Sequence, residues 1–206
     1  MARRTKEDAD ATRSNLLDAA ERVFYEKGVA RASLNEIAQA AGATRGAIYW
    51  HFRSKVDLFN AMMDRVSLPM EEVCVEGEAG CRLAPLTRLF AALERVTGMV
   101  TGDERTRRVV EIAFYRIEYV DELMAVRERH LAVQARFHAQ VARDLALAAD
   151  EQGLALPMSV VVAAAGLQAL FDGLLHAWIL REERFDLQVV ARATVMVYLR
   201  GLGFRV

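Results

Sequence analysis

Between Ser33 and Lys55 the sequence SLNEIAQAAGATRGAIYWHFRSK gathers side chains suited to a polyanion. Arg45 carries a fork of N–H donors that fits the edge of guanine or a phosphate. Thr44, Tyr49 and His51 can hydrogen-bond phosphate oxygens, and the rings of Tyr49 and Trp50 can pack on sugars or thymine methyls. Gly46 removes a side chain where a helix has to lie close in a groove. Lys55 adds a cation at the start of the next helix, whose N-terminus already favours phosphate. Ser33 belongs to the same group, and Arg3, Arg4 and Lys6 form a short basic arm that can trail along the nucleic-acid backbone. The competing use of the aromatics is packing. Phe52 reads as core, Arg45 and Tyr49 as contacts, and Trp50 suits either a core or a backbone role.

Other chemistry finds little support. Histidines 51, 130, 138 and 176 lack the spacing of metal ligands. There is no nucleophile elbow, phosphate-cradling loop or dinucleotide fingerprint. The expectation is a binding protein rather than an enzyme, with no metal and no cofactor. Cys74 and Cys81 are too few for a disulfide scaffold and read as scattered thiols. The start MARRTKEDAD has no apolar signal region, so a cytoplasmic protein is expected. Over 206 residues the net charge is −1, with residues 1–60 at +2 and the remainder at −3. That asymmetry fits a module whose one DNA-facing side is basic.

These residues need elements to hold them, and the whole chain reads as helix. Leu16, Leu17, Ala20, Val23 and Phe24 make one stripe of a helix from about Asp10 to Lys27, closed by Gly28. Ser33 and Glu36 form a capping box for a two-turn helix with Leu34, Ile37, Ala38 and Ala41 inward. Ala41-Gly42-Ala43 is the turn, and Thr44 caps a second short helix, Arg45 to about His51, with Ile48 reaching the shared core. Two short helices joined by a glycine turn make a helix-turn-helix, whose second helix enters the major groove. Ser54 and Asp57 start a fourth helix carrying Leu58, Phe59, Met62 and Val66.

Beyond Pro69, residues 71–80 read as a helix end and acidic loop. Pro85 opens a helix with Leu86, Leu89, Phe90, Leu93, Val96 and Val100 on one side. Further helices are expected at about Glu104–Tyr119, Asp121–Gln152 with Phe137, Val141 and Leu145 on one face, the run ending near Leu180, and Asp186–Arg200. The fold class is therefore all-α, about nine helices. Residues 1–55 form the helix-turn-helix DNA-binding domain and residues 56–206 a helical ligand-binding and dimerisation domain. Between Gly153 and Leu180 the only charged residue is Asp172, and a run of that length can span a membrane. Gln168, Asp172 and His176 interrupt it, which favours a buried soluble helix.

The stretch from Ser33 to Phe59 resembles the DNA-binding domain of the TetR family, and TRGAIYWHF, Thr44 to Phe52, resembles its AcrR/TtgR-like multidrug-efflux repressor branch. The likeness extends back through Ala2 to Ala30. It implies a homodimeric repressor on a palindromic double-stranded DNA operator, released by a small hydrophobic effector, with an efflux operon as target. The alternative is the same fold regulating catabolic or lipid-metabolism genes in response to a metabolite. Family members pair through their last two helices, and Ala163, Ala164, Ala165 and Gly166 would allow close approach there, with ordinary intrachain core as the other reading and the same residues open to both roles. Asp172, an acid in an apolar helix, is costly unless paired in the core or set at a pocket. FDGLLHAWIL, Phe171 to Leu180, resembles the branch's helix where the acid lies at the drug pocket. Val96, Phe114, Ile117, Phe137 and Trp178 are then candidate lining, and Gln134, Gln168 and His176 candidate polar anchors, each with ordinary core packing as its other reading.

Overall fold

The computed structural model describes residues 2–71, 83–118 and 120–206, with side chains described at 6–66, 83–118, 120, 121 and 123–206. Among the described residues there are nine α-helices and no strand. They are α1 (Ala2–Lys27), α2 (Leu34–Ala40), α3 (Arg45–His51), α4 (Lys55–Glu71), α5 (Pro85–Gly102), α6 (Glu104–Tyr115), α7 (Met124–Gln152), α8 (Val160–Leu180) and α9 (Leu187–Gly201). A short 3-10 turn, Asp121–Leu123, precedes α7. The loop expected after Glu71 and both cysteines, Cys74 and Cys81, lie outside the described residues.

Two compact units divide the chain: residues 1–69 with 105–130, and residues 70–104 with 131–206. In the first, α1 packs on α2 and α3, and α2 on α3. Leu16, Phe24, Ile37, Ile48, Phe52, Leu58 and Met62 are sealed from solvent, and the Phe24 and Phe59 rings lie 6.0 Å apart. Each such side chain stabilises by roughly 1.5–3 kcal/mol. The first helix starts at Ala2 instead of Asp10. Ala, Arg, Lys and Glu are strong helix formers and nothing in residues 2–9 breaks a helix. The basic arm is thus drawn into α1 rather than trailing from it. Gly28 closes the helix with its N–H donating to the Phe24 carbonyl at 2.9 Å.

In the second unit α9 packs against both α5 and α8. Leu93, Leu145, Ala163, Ala164, Leu167, Ala191, Val195 and Leu199 form its core. The Tyr198 hydroxyl donates to the Ala163 carbonyl at 2.8 Å, and its ring stands where a side chain on Gly166 would project. Of the two roles expected for the small residues of α8, core packing and subunit contact, the first is seen within the chain. Ala163, Ala164 and Gly166 bring two helices of one chain together, and of that row Ala165 alone is exposed.

Two further expectations are adjusted. The sixth helix ends at Tyr115, not Tyr119. Phe137 is 38 % exposed, while Leu145 is sealed. Each i to i+4 step rotates by about 40° at 3.6 residues per turn, so a row of two steps drifts by about 80° and leaves the packed face.

Candidate nucleic-acid interface

The start of α2 is fixed by reciprocal bonds. Ser33 Oγ accepts the Glu36 N–H at 3.2 Å, and the Glu36 carboxylate accepts the Ser33 N–H at 2.9 Å. Lys27 Nζ lies 2.6 Å from the other carboxylate oxygen. Chiefly through the hydrogen bond from Lys27, and then those from Ser33, the Glu36 carboxyl is held from its ordinary 4.5 down to about 2. The turn follows. The Ala41 N–H donates to the Ile37 carbonyl at 3.0 Å and the Ala43 N–H to the Ala38 carbonyl at 2.9 Å. Between them Gly42 sits at φ +65°, a left-handed conformation that glycine adopts without a Cβ penalty. Thr44 Oγ then accepts the Ala47 N–H at 3.1 Å and starts α3. Ile48 is fully buried, which fixes the rotation of α3 about its axis.

That rotation turns Thr44, Arg45, Gly46, Tyr49 and Trp50 outward. Tyr49 is 48 % and Trp50 74 % exposed. Trp50 is thus not a core residue of this chain, and Phe52 is. The Arg45 guanidinium lies over the Tyr49 ring, 5.7 Å from its centroid, so one turn of helix presents a stacked cation and ring. A side chain added at Gly46 would meet only Thr44 Oγ, at 3.8 Å. Nothing among the described residues requires glycine there. His51 is half-buried and meets the Trp50 ring edge-on at 4.5 Å. Burial first, and the Arg13 charge second, hold its pKa below the ordinary 6.5, against an opposing pull from Asp10.

Two expected contacts, Lys55 and Ser33, are engaged within the chain. Lys55 is 8 % exposed, and its ammonium donates to the Ala30 carbonyl at 2.8 Å and the Ala32 carbonyl at 3.2 Å. It clamps the loop before α2 to the start of α4 instead of projecting into solvent. The Ser33 hydroxyl is exposed but engaged in the capping box. Arg3 and Arg4 lie in the backbone of α1, and their side chains are outside those described.

Sequence reasoning missed an ionic cluster in the same unit. Asp18 of α1 takes Arg65 of α4 at 2.7 Å and Arg105 of α6 at 2.8 Å. Glu21 takes Arg105 at 3.3 Å and Arg108 at 3.0 Å. Glu21 is buried, and desolvation pushes its pKa up against the pull of Arg108 and Arg105. Arg129 pairs with Asp64. A signal was present: two acids three apart on α1 and two arginines three apart on α6, each pair sharing a helical face.

Of the residues expected at an effector site, Phe114 and Ile117 belong to the first unit and the others to the second. Gln168, Asp172 and His176 recur every four residues along α8 and are half-buried. Val96 on α5 and Gln134 on α7 are half-buried as well. Trp178 is buried, with its indole N–H donating to the Phe185 carbonyl at 2.9 Å and the Arg184 guanidinium 4.7 Å over its ring. It secures the α8–α9 loop. Missed here too was the buried pair of Arg88 on α5 with Asp144 on α7, which Gln140 joins at 3.2 Å.

A short helix braced by a glycine turn, with a cation, two aromatic rings and a glycine facing out, defines a helix-turn-helix DNA-binding protein. The comparisons agree. Residues 16–62 match the family model of bacterial regulatory proteins of the tetR family, and residues 84–204 match the C-terminal region of MAATS-type transcriptional repressors. The HTH-type transcriptional regulator TtgR of Pseudomonas putida is 36 % identical, over 91 % of this chain and 89 % of TtgR. The crystal structure of NalD, the secondary repressor of the MexAB-OprM multidrug efflux pump in Pseudomonas aeruginosa, superimposes with a TM-score of 0.84 at 36 % identity, covering 94 % of this chain and 98 % of NalD. SmeT, the repressor of the Stenotrophomonas maltophilia pump SmeDEF, solved with triclosan, gives 0.79 at 32 % identity, covering 93 % and 91 %. The chain belongs to the TetR family of bacterial transcriptional regulators, and is a regulator rather than an enzyme.

Proposed function

We propose that the chain is a cytoplasmic homodimer that represses a multidrug efflux operon from a palindromic operator and leaves it when a small hydrophobic effector binds. Residues 1–55 are then the DNA-binding domain, with Thr44, Arg45, Gly46, Tyr49, Trp50 and His51 on the DNA. Residues 56–206 bind the effector and the second copy. The observation that carries the reading is the outward face of α3, where two aromatic rings are exposed and no neighbour among the described residues crowds the glycine. The likeness to NalD and SmeT supports efflux control and an apolar effector. We place that effector against the half-buried polar row Gln168, Asp172 and His176 of α8, with Val96 and Gln134 as further contacts.

An unpartnered apolar face supports the dimer. Val161, Val162, Ala165, Ala169 and Leu180 on α8, and Val189, Ala193 and Val197 on α9, are exposed in the single chain. By length and composition α8 is also long and apolar enough to cross a membrane. A second copy is the better occupant, because Val162, Ala165 and Ala169 on α8 and Val189, Ala193 and Val197 on α9 recur every three or four residues on two adjacent helices and give a self-complementary stripe. Effector release requires higher affinity for the conformation that does not fit DNA. Footprinting the DNA upstream of the gene tests the reading: protection of two half-sites about one helical turn apart, abolished on adding planar or cationic apolar compounds. Absence of protection overturns it.

A further inference from the structure

Arg13 lies on α1, outside the helix-turn-helix itself. It is exposed, and its guanidinium rests over the Phe52 ring, 5.2 Å from the centroid. Phe52 is the buried residue that ends α3. Arg13 therefore sits at the carboxyl end of the recognition helix, next to His51 and two residues from the exposed Trp50 along the chain from Phe52. Among the described residues it makes no ion pair. Four other arginines of this unit, Arg65, Arg105, Arg108 and Arg129, each hold a carboxylate, while Arg22 donates to the Ala40 carbonyl and Arg116 lies over the Tyr25 ring. Lys6, also exposed, is seven residues before Arg13, hence on the same side of α1 and about 10 Å along it.

A cation locked on an aromatic ring, unneutralised, beside the DNA-reading helix but off its base-reading row, is placed to meet backbone rather than bases. We propose that Arg13 is a phosphate contact that flanks the recognition helix and sets its register on the duplex, with Phe52 as the platform that orients the guanidinium. The inference rests on the DNA-binding reading of α3 and adds a residue to it from outside α2 and α3. A phosphate contact carries no sequence information and follows counterion release. Removing it weakens binding equally on operator and random DNA and flattens the salt dependence.

The test is fluorescence anisotropy of the full chain on upstream DNA and on a random duplex between about 50 and 200 mM salt, for the parent, Arg13→Ala, Arg13→Lys and, as a control cation on α7, Arg143→Ala. Arg13→Ala should lower affinity by the same factor on both duplexes. It should also reduce the slope of log K against log salt by about 0.9 for each phosphate left unneutralised, about twice that for a two-fold dimer. Arg13→Lys should recover most of the slope, and Arg143→Ala should match the parent. If Arg13→Ala keeps the parent slope, whether or not affinity falls, Arg13 acts only by packing on Phe52 and the proposal fails. A parent that binds neither duplex overturns the DNA-binding reading of α3 instead.

Discussion

Arg45 and Ile48 are three residues apart on one seven-residue helix, and they do opposite work. Ile48 is sealed beneath α3 and Arg45 lies outside on the Tyr49 ring. Arg45→Ala and Tyr49→Ala should each weaken operator binding by about 1–3 kcal/mol and leave the melting temperature unchanged. Ile48→Ala should instead cost about 2–5 kcal/mol of folding stability, visible as an earlier thermal transition by circular dichroism. Equal melting of Ile48→Ala and the parent, or undiminished binding by both surface variants, contradicts this division. Residue types alone indicated the outward set, because polar and aromatic side chains had nowhere to pack on so short a helix. They misled at Lys55, whose charge said surface. The two carbonyls that hold its ammonium belong to residues 30 and 32, distant in sequence, and no local pattern announces them. Asp172 is half-buried on the polar row of α8. Asp172→Ala should blunt the binding of cationic apolar compounds in titration calorimetry while leaving ligand-free DNA binding intact.

At the scale of elements, boundaries set by a local device were legible, whereas the uncapped start of α1 and the end of α6 were not. Ser33, Thr44, Pro85 and Asp186 stand where α2, α3, α5 and α9 begin, since each satisfies or removes an orphan N–H by local chemistry. Ends such as that of α6 at Tyr115 depend on tertiary partners: the Arg116 carbonyl accepts the Val29 N–H at 2.8 Å, a bond to residues far back in the chain. The α2 cap also carries a pH dependence. The folded-state pKa of Glu36 is lowered, so the stability its carboxylate contributes is complete above about 4.5 and lost as pH falls towards about 2. In urea titrations the gap between the parent and Glu36→Gln should therefore be constant near neutrality and narrow progressively below pH 4.5; a gap undiminished at about pH 2 refutes the ionic cap. The cluster joining α1, α4 and α6 behaves in the opposite sense, because Glu21 is raised by burial and relies on its arginines. Arg108→Ala, which leaves that carboxylate less compensated, should destabilise by about 1–3 kcal/mol. Combined with Glu21→Gln it should cost less than the sum of the two, and strict additivity in the double-mutant cycle would show that the pair is not coupled.

The whole molecule turns on what covers α8 and α9. From sequence, the run ending at Leu180 was open to a membrane, a buried core helix or a subunit contact, because composition records how apolar a helix is and not which surface meets it. The structure divides the question by face. Ala163, Ala164, Leu167 and Leu175 are buried within the chain, and Val161, Val162, Ala165 and Ala169 are left outside together with Val189, Ala193 and Val197 of α9. In a two-fold dimer the same stripe serves both subunits, and each buried valine contributes roughly 1.5–3 kcal/mol. A charge placed in the middle of that stripe gives up its water without gaining a partner, at a cost of several kcal/mol. Val162→Arg and Val197→Arg should consequently shift the protein from dimer to monomer at micromolar concentration in sedimentation velocity, with helix content preserved because both positions are exposed in the monomer. DNA binding should fall with them, since one helix-turn-helix reads half a palindrome. The parent should remain dispersed as a dimer without detergent. If it sediments as a monomer, or if both arginine variants remain dimeric, subunits pair elsewhere. If it is dispersed only by detergent, lipid covers this face.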